Sequence, residues 1–387
     1  MKEIYFDNSA TTKMSEGAAS KMAEIIKDHY GNPSSLHTRG LDAENILEGA
    51  RKTILETLGI TRATKGELVF TSGGTESNNL AILGTVFAKR RAGNEKILIT
   101  DGEHSCVENC AEFLEERGFT VLRVPTYSGE LDIDFIKENA KGAILASFMH
   151  VNNETGALYN VADAFAAVKE ASPATVTHSD CVQSYMKMKF TPKSLGADLI
   201  SISSHKINGA RGVGALYISP DILKSKKIAP IMFGGGQENG LRSGTENVCA
   251  IAAFAEAASE HKASFAQDVS KMTALRDYIT DSLLKIDGVS VNLPKQRAPH
   301  IISFTTKGVR SETMLHFLSS KGIYVSSGSA CSSHSNKVSR ALTAFGLKKD
   351  DADSTLRASI GAQNTAEEAD EFISAVKEGV SRLAKRQ

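Results

Sequence analysis

The residues of this chain best suited to covalent chemistry are Ser203, Ser204, His205 and Lys206. They stand at the end of an apolar run over 198–202 and just ahead of Asn208-Gly209-Ala210-Arg211-Gly212-Val213-Gly214. A lysine placed where a strand opens into a small-residue turn is held partly out of water, which lowers its pKa and frees the amine to form a Schiff base. That is the attachment pyridoxal phosphate requires. Alone, the tetrapeptide reads more readily as a solvated lysine in a turn. Its surroundings reverse that.

Twenty-six positions earlier, Thr175-Val176-Thr177-His178-Ser179-Asp180 reads as a second short strand ending on a carboxylate, with Gln183 just beyond. A carboxylate there suits a protonated pyridine nitrogen, which keeps the ring an electron sink, and Gln183 suits the ring phenol. Further upstream, Glu67-Leu68-Val69-Phe70-Thr71 reads as a strand and Ser72-Gly73-Gly74-Thr75 as a turn. Leu80, Ile82, Leu83, Val86 and Phe87 read as the apolar face of the helix that follows. Strand, Gly-rich turn and helix N-terminus make an anion site, because free backbone N–H groups and the helix dipole point at the anion. By itself this is also the make-up of a routine βα turn. Lysine, aspartate and anion cradle in this order, each on a strand end where open α/β sheets bind ligands, point together to a pyridoxal phosphate site.

The elements that must position these groups follow from periodicity. Strand-like runs at 67–71, 96–100, 119–124, 142–148, 175–180, 198–202 and 213–219 alternate with helical stretches, which predicts an α/β domain with a mostly parallel sheet covered on both sides. After about residue 260 the pattern changes to a long polar helix, then strands at 300–305, 322–325 and 355–360 and a final helix. In that helix Phe372, Val376, Val380 and Leu383 share one face with Ile373 beside them. A smaller α+β domain is expected there.

Composition bounds the setting. At 387 residues the chain exceeds one ordinary core, and 45 basic against 45 acidic residues leave no net field for nucleic acid or membrane. No apolar run reaches transmembrane length and the N-terminus has no basic-then-apolar signal, so a cytoplasmic protein is expected. Five cysteines, an odd number, argue against a disulfide framework. Cys106 and Cys110, four apart, share a helix face just after His104. With no second ligand cluster at metal spacing they read as packed thiols, and no metal is expected.

Asp7-Asn8-Ser9-Ala10-Thr11-Thr12, Gly31-Asn32-Pro33-Ser34-Ser35, Thr71-Ser72-Gly73-Gly74-Thr75-Glu76-Ser77, Glu103-His104, His150-Val151-Asn152-Asn153-Glu154-Thr155-Gly156, Ser204-His205-Lys206 and Arg242-Ser243-Gly244-Thr245 resemble the cysteine desulfurases of the class V aminotransferase fold, from about residue 5 to about 380. The resemblance implies fold type I of the pyridoxal phosphate-dependent transferases. Its large domain, 16–260, would hold a mostly parallel seven-stranded sheet, and residues 1–15 would join 261–387 in the small α+β domain. It also implies that Lys206 carries the cofactor, that His104 stacks on its ring, and that Asn153 and Gln183 contact its phenolic side. Gly74, Thr75, Ser203 and His205 would hold the phosphate, with Thr245 reaching in from the second subunit of a homodimer. Arg357, in Ser354-Thr355-Leu356-Arg357-Ala358-Ser359, matches the arginine that binds the substrate carboxylate, assisted by Asn153, and a planar fork suits that task.

The segment Ser326-Ser327-Gly328-Ser329-Ala330-Cys331-Ser332-Ser333-His334-Ser335-Asn336 is small and polar except for His334, so it has little apolar surface to anchor it and should be a mobile loop. A lone cysteine is more often an inert buried thiol, but this composition argues against burial. The segment resembles the long-loop group of cysteine desulfurases, in which this thiol accepts sulfur. That implies a reaction in which L-cysteine displaces Lys206, the freed amine takes the Cα proton, sulfur passes to Cys331 as a persulfide and alanine is left. His104 would stack, with acceptance of the substrate thiol proton as a second task.

Two departures look tolerable: Cys181 stands where the family usually has alanine, and Ala210-Arg211 where proline-lysine is common. The sequence stops at Gln387 and shows no tail of the kind housekeeping members use to hold an iron-sulfur scaffold protein, so the sulfur acceptor, in iron-sulfur assembly or tRNA thiolation, is left open. A selenocysteine lyase, another lyase or an aminotransferase of the same fold is the competing reading, and the Cys331 loop weighs against it. A non-enzymatic interaction module would have no reason to keep Lys206, Asp180, His104 and Arg357 together.

Overall fold

The computed structural model describes residues 3–61, 66–88, 96–327 and 339–384. In chain order the strands are β1 Ile4–Tyr5, β2 Glu67–Thr71, β3 Lys96–Thr100, β4 Thr120–Val124, β5 Ala143–Met149, β6 Val176–Asp180, β7 Leu199–Ser203, β8 Gly214–Ile218, β9 Val289–Val291, β10 Ile301–Thr306, β11 Ile323–Tyr324, β12 Ser326–Ser327 and β13 Thr355–Ser359. Strands β2 to β8 build one seven-stranded sheet in the order β2-β8-β7-β6-β5-β3-β4. Every pairing in it is parallel except those of β8, which runs antiparallel to both β2 and β7. The expected mostly parallel α/β sheet is therefore the observed one. Residues of β5, β6, β7 and β8 are all buried, as helices on both faces require.

Polar residues inside this sheet are satisfied across strands. His178 of β6 is fully buried between Ser147 of β5, 2.7 Å from Nδ1, and Ser201 of β7, 2.9 Å from Nε2. The sharp exit of β2 needs glycine: Gly73 has φ of +155°, and a Cβ on Gly214 of β8 would come within 2.7 Å of the Gly73 carbonyl carbon. The helix Gly74–Ala88 that follows is buried on more than one face, at Asn78, Leu80, Ala81, Ile82, Gly84 and Val86. Phe87, expected on its packed face, is instead 49% exposed. Because the helix is covered almost all round, apolar residues could not mark a single inward stripe.

The second sheet is antiparallel, in the order β12-β13-β10-β9, and β1 pairs in parallel with β11. An aromatic cluster centres on Phe372, whose ring lies 5.4 Å from Phe6 and 5.8 Å from Phe304. The short strands β1, β9 and β12 were not legible as periodic runs; two or three residues cannot display a period of two. The change of pattern near residue 260 falls inside one continuous helix, Val248–Leu283. Its first turns, Ala250 to Ala258, pack in the core under the seven-stranded sheet, whereas Met272, Leu275, Ile279 and Leu283 pack in the core of the second sheet.

Candidate active site

The C-terminal ends of β5, β6 and β7 face a cavity of about 470 Å³. Lys206 follows β7 in the short turn Ser204–Lys206, and its Nζ donates to the carbonyls of Ser9 (2.5 Å) and Ala10 (2.7 Å) in the N-terminal motif. Asp180 closes β6. Its Oδ1 accepts the Val182 amide at 2.9 Å and its Oδ2 the Asn78 amide group at 2.6 Å, so the carboxylate is clamped from two elements. Gln183 donates to the Ser9 carbonyl at 3.0 Å, and its Oε1 is buried without a partner among the described residues. The hydroxyl of Ser203 is likewise buried and unpartnered. It stands against the N-terminus of Gly74–Ala88, where a Cβ on Gly74 would lie 3.7 Å from that of Ser203 and only 2.6 Å from Val182 Cγ2. His205 faces Thr11 Oγ1 at 3.2 Å, and burial with the charges of Lys206, Lys187 and Arg211 pushes its imidazole down to about 4.

His104 caps the helix Ser105–Glu115: its Nδ1 accepts the Cys106 amide at 3.2 Å. That contact suits a ring proton on Nε2, and burial lowers the pKa. Its neighbour Glu103 is fully desolvated, which pushes its carboxyl up to about 8; Oε1 accepts from Thr100 Oγ1 and the Met149 amide, each at 2.9 Å, tying the ends of β3 and β5 together.

Arg357 reaches the cavity from β13. Its Nη2 pairs with Asp7 Oδ1 at 2.7 Å, its Nη1 donates to the Asn153 carbonyl at 2.9 Å, and its buried Nε has no partner among the described residues. Glu154, beside it, is pushed up to about 7 by burial and accepts from Ser339 Oγ at 2.6 Å. Ser339 also caps the helix Arg340–Phe345, and Arg340 pairs with Glu108 and Glu112.

The cavity thus brings together Gly74, Thr75, His104, Asn153, Asp180, Gln183, Ser203, His205, Lys206 and Arg357. Thr245 is exposed and does not line it. Cys331 lies outside the described residues. Its segment leaves the described chain at Ser327, on the cavity wall, and re-enters at Ser339. Asp7 and Asn78 on the wall were given no role of their own from sequence, and Cys106 was read differently. Asp7 and Asn78 find their partners across long sequence separations. Cys106, expected to be a packed thiol, opens its helix on the cavity side with Sγ 3.1 Å from His104 Nδ1; its position two residues after His104 was the available signal. Burial pushes that thiol up to about 12. Cys110 is packed as expected, donating to Asn79 Oδ1 at 3.2 Å.

Residues 4–372 match the model of the aminotransferase class-V family. The chain is 35% identical over 382 residues to the cysteine desulfurase IscS 1 of Archaeoglobus fulgidus, covering 98% of this chain and 97% of that protein. A solved NifS-like protein superimposes with a TM-score of 0.90 at 32% identity, over 98% of this chain and all of that one. A structure described as SspA in complex with cysteine superimposes with a TM-score of 0.79 at 30% identity, over 94% of this chain and all of that one.

Proposed function

The chain belongs to the cysteine desulfurases of the class-V aminotransferase family, pyridoxal phosphate-dependent enzymes that remove sulfur from L-cysteine, and from that premise we propose how its own residues divide the work. The observation that carries the proposal is the convergence of Lys206, Asp180, His104 and Arg357 on one cavity at the C-terminal edge of the sheet.

The residues present fit the cofactor. The unpartnered Ser203 hydroxyl beside a helix N-terminus supports a phosphate held by Gly74, Thr75, Ser203 and His205. The spare hydrogen-bonding capacity of the Gln183 amide supports a polar ring edge between it and Asn153. Asp180, fixed by Asn78 and Val182, has the charge to keep a pyridine nitrogen protonated. When bound, pyridoxal phosphate supplies an electron sink for charge developing at the substrate's Cα.

Lys206 Nζ anchors the cofactor and, once released, takes the Cα proton. Arg357 binds the substrate carboxylate through donors that Asp7 and Asn153 leave free, its buried Nε among them. Because Nδ1 of His104 already accepts the Cys106 amide, its lone pair is engaged, and stacking is the task we assign to the ring. Cys331 receives the sulfur as a persulfide and alanine leaves. It stands four positions after Ser327 on the cavity wall, a span of at most about 14 Å.

We place the working unit in a homodimer in which Thr245 completes the phosphate site of the partner subunit. Its exposure and the bare apolar residues Tyr30, Leu36 and Phe233 support this. The division into 16–260 and 1–15 with 261–387 is supported by separate hydrophobic cores beneath the two sheets. The sulfur then passes to an acceptor or scaffold protein, and the name of the Archaeoglobus relative favours one in iron-sulfur assembly. No helix among the described residues is long and apolar enough to cross a membrane, and we assign the enzyme to the cytoplasm.

Protein supplied with pyridoxal phosphate should be yellow, borohydride should bleach the visible band and leave the label on Lys206, and Lys206→Ala should lose colour and turnover. A colourless wild-type protein overturns the proposal.

A further inference from the structure

Asn78 lies one turn into the helix Gly74–Ala88, is 1% exposed, and touches two other elements with one amide group. Its Nδ2 stands 2.6 Å from Asp180 Oδ2 at the end of β6 and 3.2 Å from Cys106 Sγ at the start of the helix Ser105–Glu115. An ionised carboxylate only accepts, so the nitrogen faces Asp180, and its two N–H bonds supply one donor to each neighbour. Cys106 Sγ in turn stands 3.1 Å from His104 Nδ1. Burial pushes that thiol up to about 12, so it keeps its S–H, and Nδ1 already acts as an acceptor toward the Cys106 amide. The contacts therefore run in one direction: Asn78 donates to Asp180 and to Cys106, and Cys106 donates to His104.

Asp180 and His104, at the two ends of this chain of contacts, line the cavity together with Asn78 and Cys106. The helix that carries Asn78 opens on Gly74 and Thr75, and its start is pinned to the sheet by Ser77, whose hydroxyl is 2.8 Å from Thr71 Oγ1 of β2. Asn78 Oδ1 has no partner among the described residues, so the contacts to Asp180 and Cys106 are what orient the amide. Each oxygen of Asp180 carries one donor, the Val182 amide on Oδ1 and Asn78 on Oδ2. That fixes the plane of the carboxylate and leaves each oxygen a lone pair for one further N–H.

We propose that Asn78 is a positioning residue for Asp180, fixing the carboxylate plane that meets the cofactor's ring nitrogen, and that Cys106 carries the same chain on to His104, so that the partner of the nitrogen and the ring stacked on the cofactor are set together. The inference rests on the roles given above to Asp180 and His104. Its signature is a dependence on the ring nitrogen: an amide that acts through Asp180 matters only to a cofactor that has a nitrogen for Asp180 to hold, whereas an amide that merely supports the fold matters to any cofactor of the same shape.

The test is equilibrium binding to the full-length chain of pyridoxal phosphate and of its deaza analogue, in which a carbon replaces the ring nitrogen. Asn78→Ala should weaken pyridoxal phosphate about tenfold, the loss of a hydrogen bond to a charged group, and leave the analogue within about twofold of its wild-type affinity. Equal losses for both, or none for either, would overturn the proposal. Should Asn78→Ala not fold, Asn78→Leu, which keeps the volume and removes both donors, is read in the same way. Cys106→Ser keeps a donor and an acceptor and should bind pyridoxal phosphate like wild type. Cys106→Ala should bind it about threefold more weakly, and the losses of Asn78→Ala and Cys106→Ala should not multiply in the double variant, because both break one chain. Losses that multiply would overturn the link to His104. Asp180→Ala, measured beside them, separates this inference from the reading beneath it: it should weaken pyridoxal phosphate far more than the analogue, and if it does not, the role of Asp180 itself falls.

Discussion

Asp7 and Arg357, 350 positions apart in the chain, meet through a carboxylate–guanidinium contact of 2.7 Å on the wall of the cavity. The side chain of Arg357 is 9% exposed, so the pair is largely withdrawn from solvent and sets the plane of the fork that, in the role proposed for Arg357, meets the substrate carboxylate. Losing that fork should cost on the order of 2–4 kcal/mol, so Arg357→Ala should lower kcat/KM for cysteine by about 30-fold or more while the protein stays yellow. Asp7→Ala, which leaves the guanidinium without its counter-charge, should raise KM about tenfold with kcat little changed, and Asp7→Asn, which keeps an acceptor, should raise it less. Steady-state kinetics check this; unchanged constants in Arg357→Ala would move the carboxylate site elsewhere.

Stability should fall in acid for a reason visible at His178. Burial between β5 and β7 pushes its pKa down to about 3, far below the unfolded value of about 6.5. Between those values the unfolded chain binds a proton that the folded chain refuses. The stability present above about pH 6.5 is therefore lost as the pH falls toward 3, by about 2 kcal/mol at pH 5 for this residue alone. His150, pushed down to about 4 by burial, adds to the loss. Urea midpoints at pH 8 and pH 5 should show it, and His178→Gln, destabilised at both, should show a smaller difference between them than wild type does.

The shared site should be visible in mixed dimers. Thr245→Asp would set a carboxylate against the cofactor's phosphate and weaken its binding by like-charge repulsion. If Thr245 acts across the interface, Lys206→Ala and Thr245→Asp chains expressed together give dimers in which one site collects both lesions and the other has neither. Activity should then exceed that of either parent. Doubly tagged mixed dimers no more active than the parents would remove the shared-site assignment and leave the roles of Lys206 and Arg357 untouched.

What was legible in the sequence was local. Lys206, Asp180 and the Gly73-Gly74 turn could be placed because each sits at the end of its own apolar strand, and the strand ends of a parallel sheet converge by construction. Contacts between distant segments left no such trace. Asn78 clamps Asp180 from 102 positions away, and Arg357 pairs with Asp7. The boundary near residue 260 was blurred because a single helix serves two cores, exchanging one apolar face for another partway along. Phe87 misled because it continues the apolar run of Leu80, Ile82 and Val86, which are buried, at a position near the helix end that the packing leaves exposed.

The account stands or falls on how sulfur leaves cysteine, and the most direct measurement is alanine released from L-cysteine by wild type and by Cys331→Ser, each loaded with pyridoxal phosphate. Serine keeps the size of the side chain but offers no thiolate to take the sulfur. Wild type should yield alanine, with sulfide when a reductant is present, and Cys331→Ser should stay yellow and yield almost none. Alanine at the wild-type rate from Cys331→Ser would contradict the account.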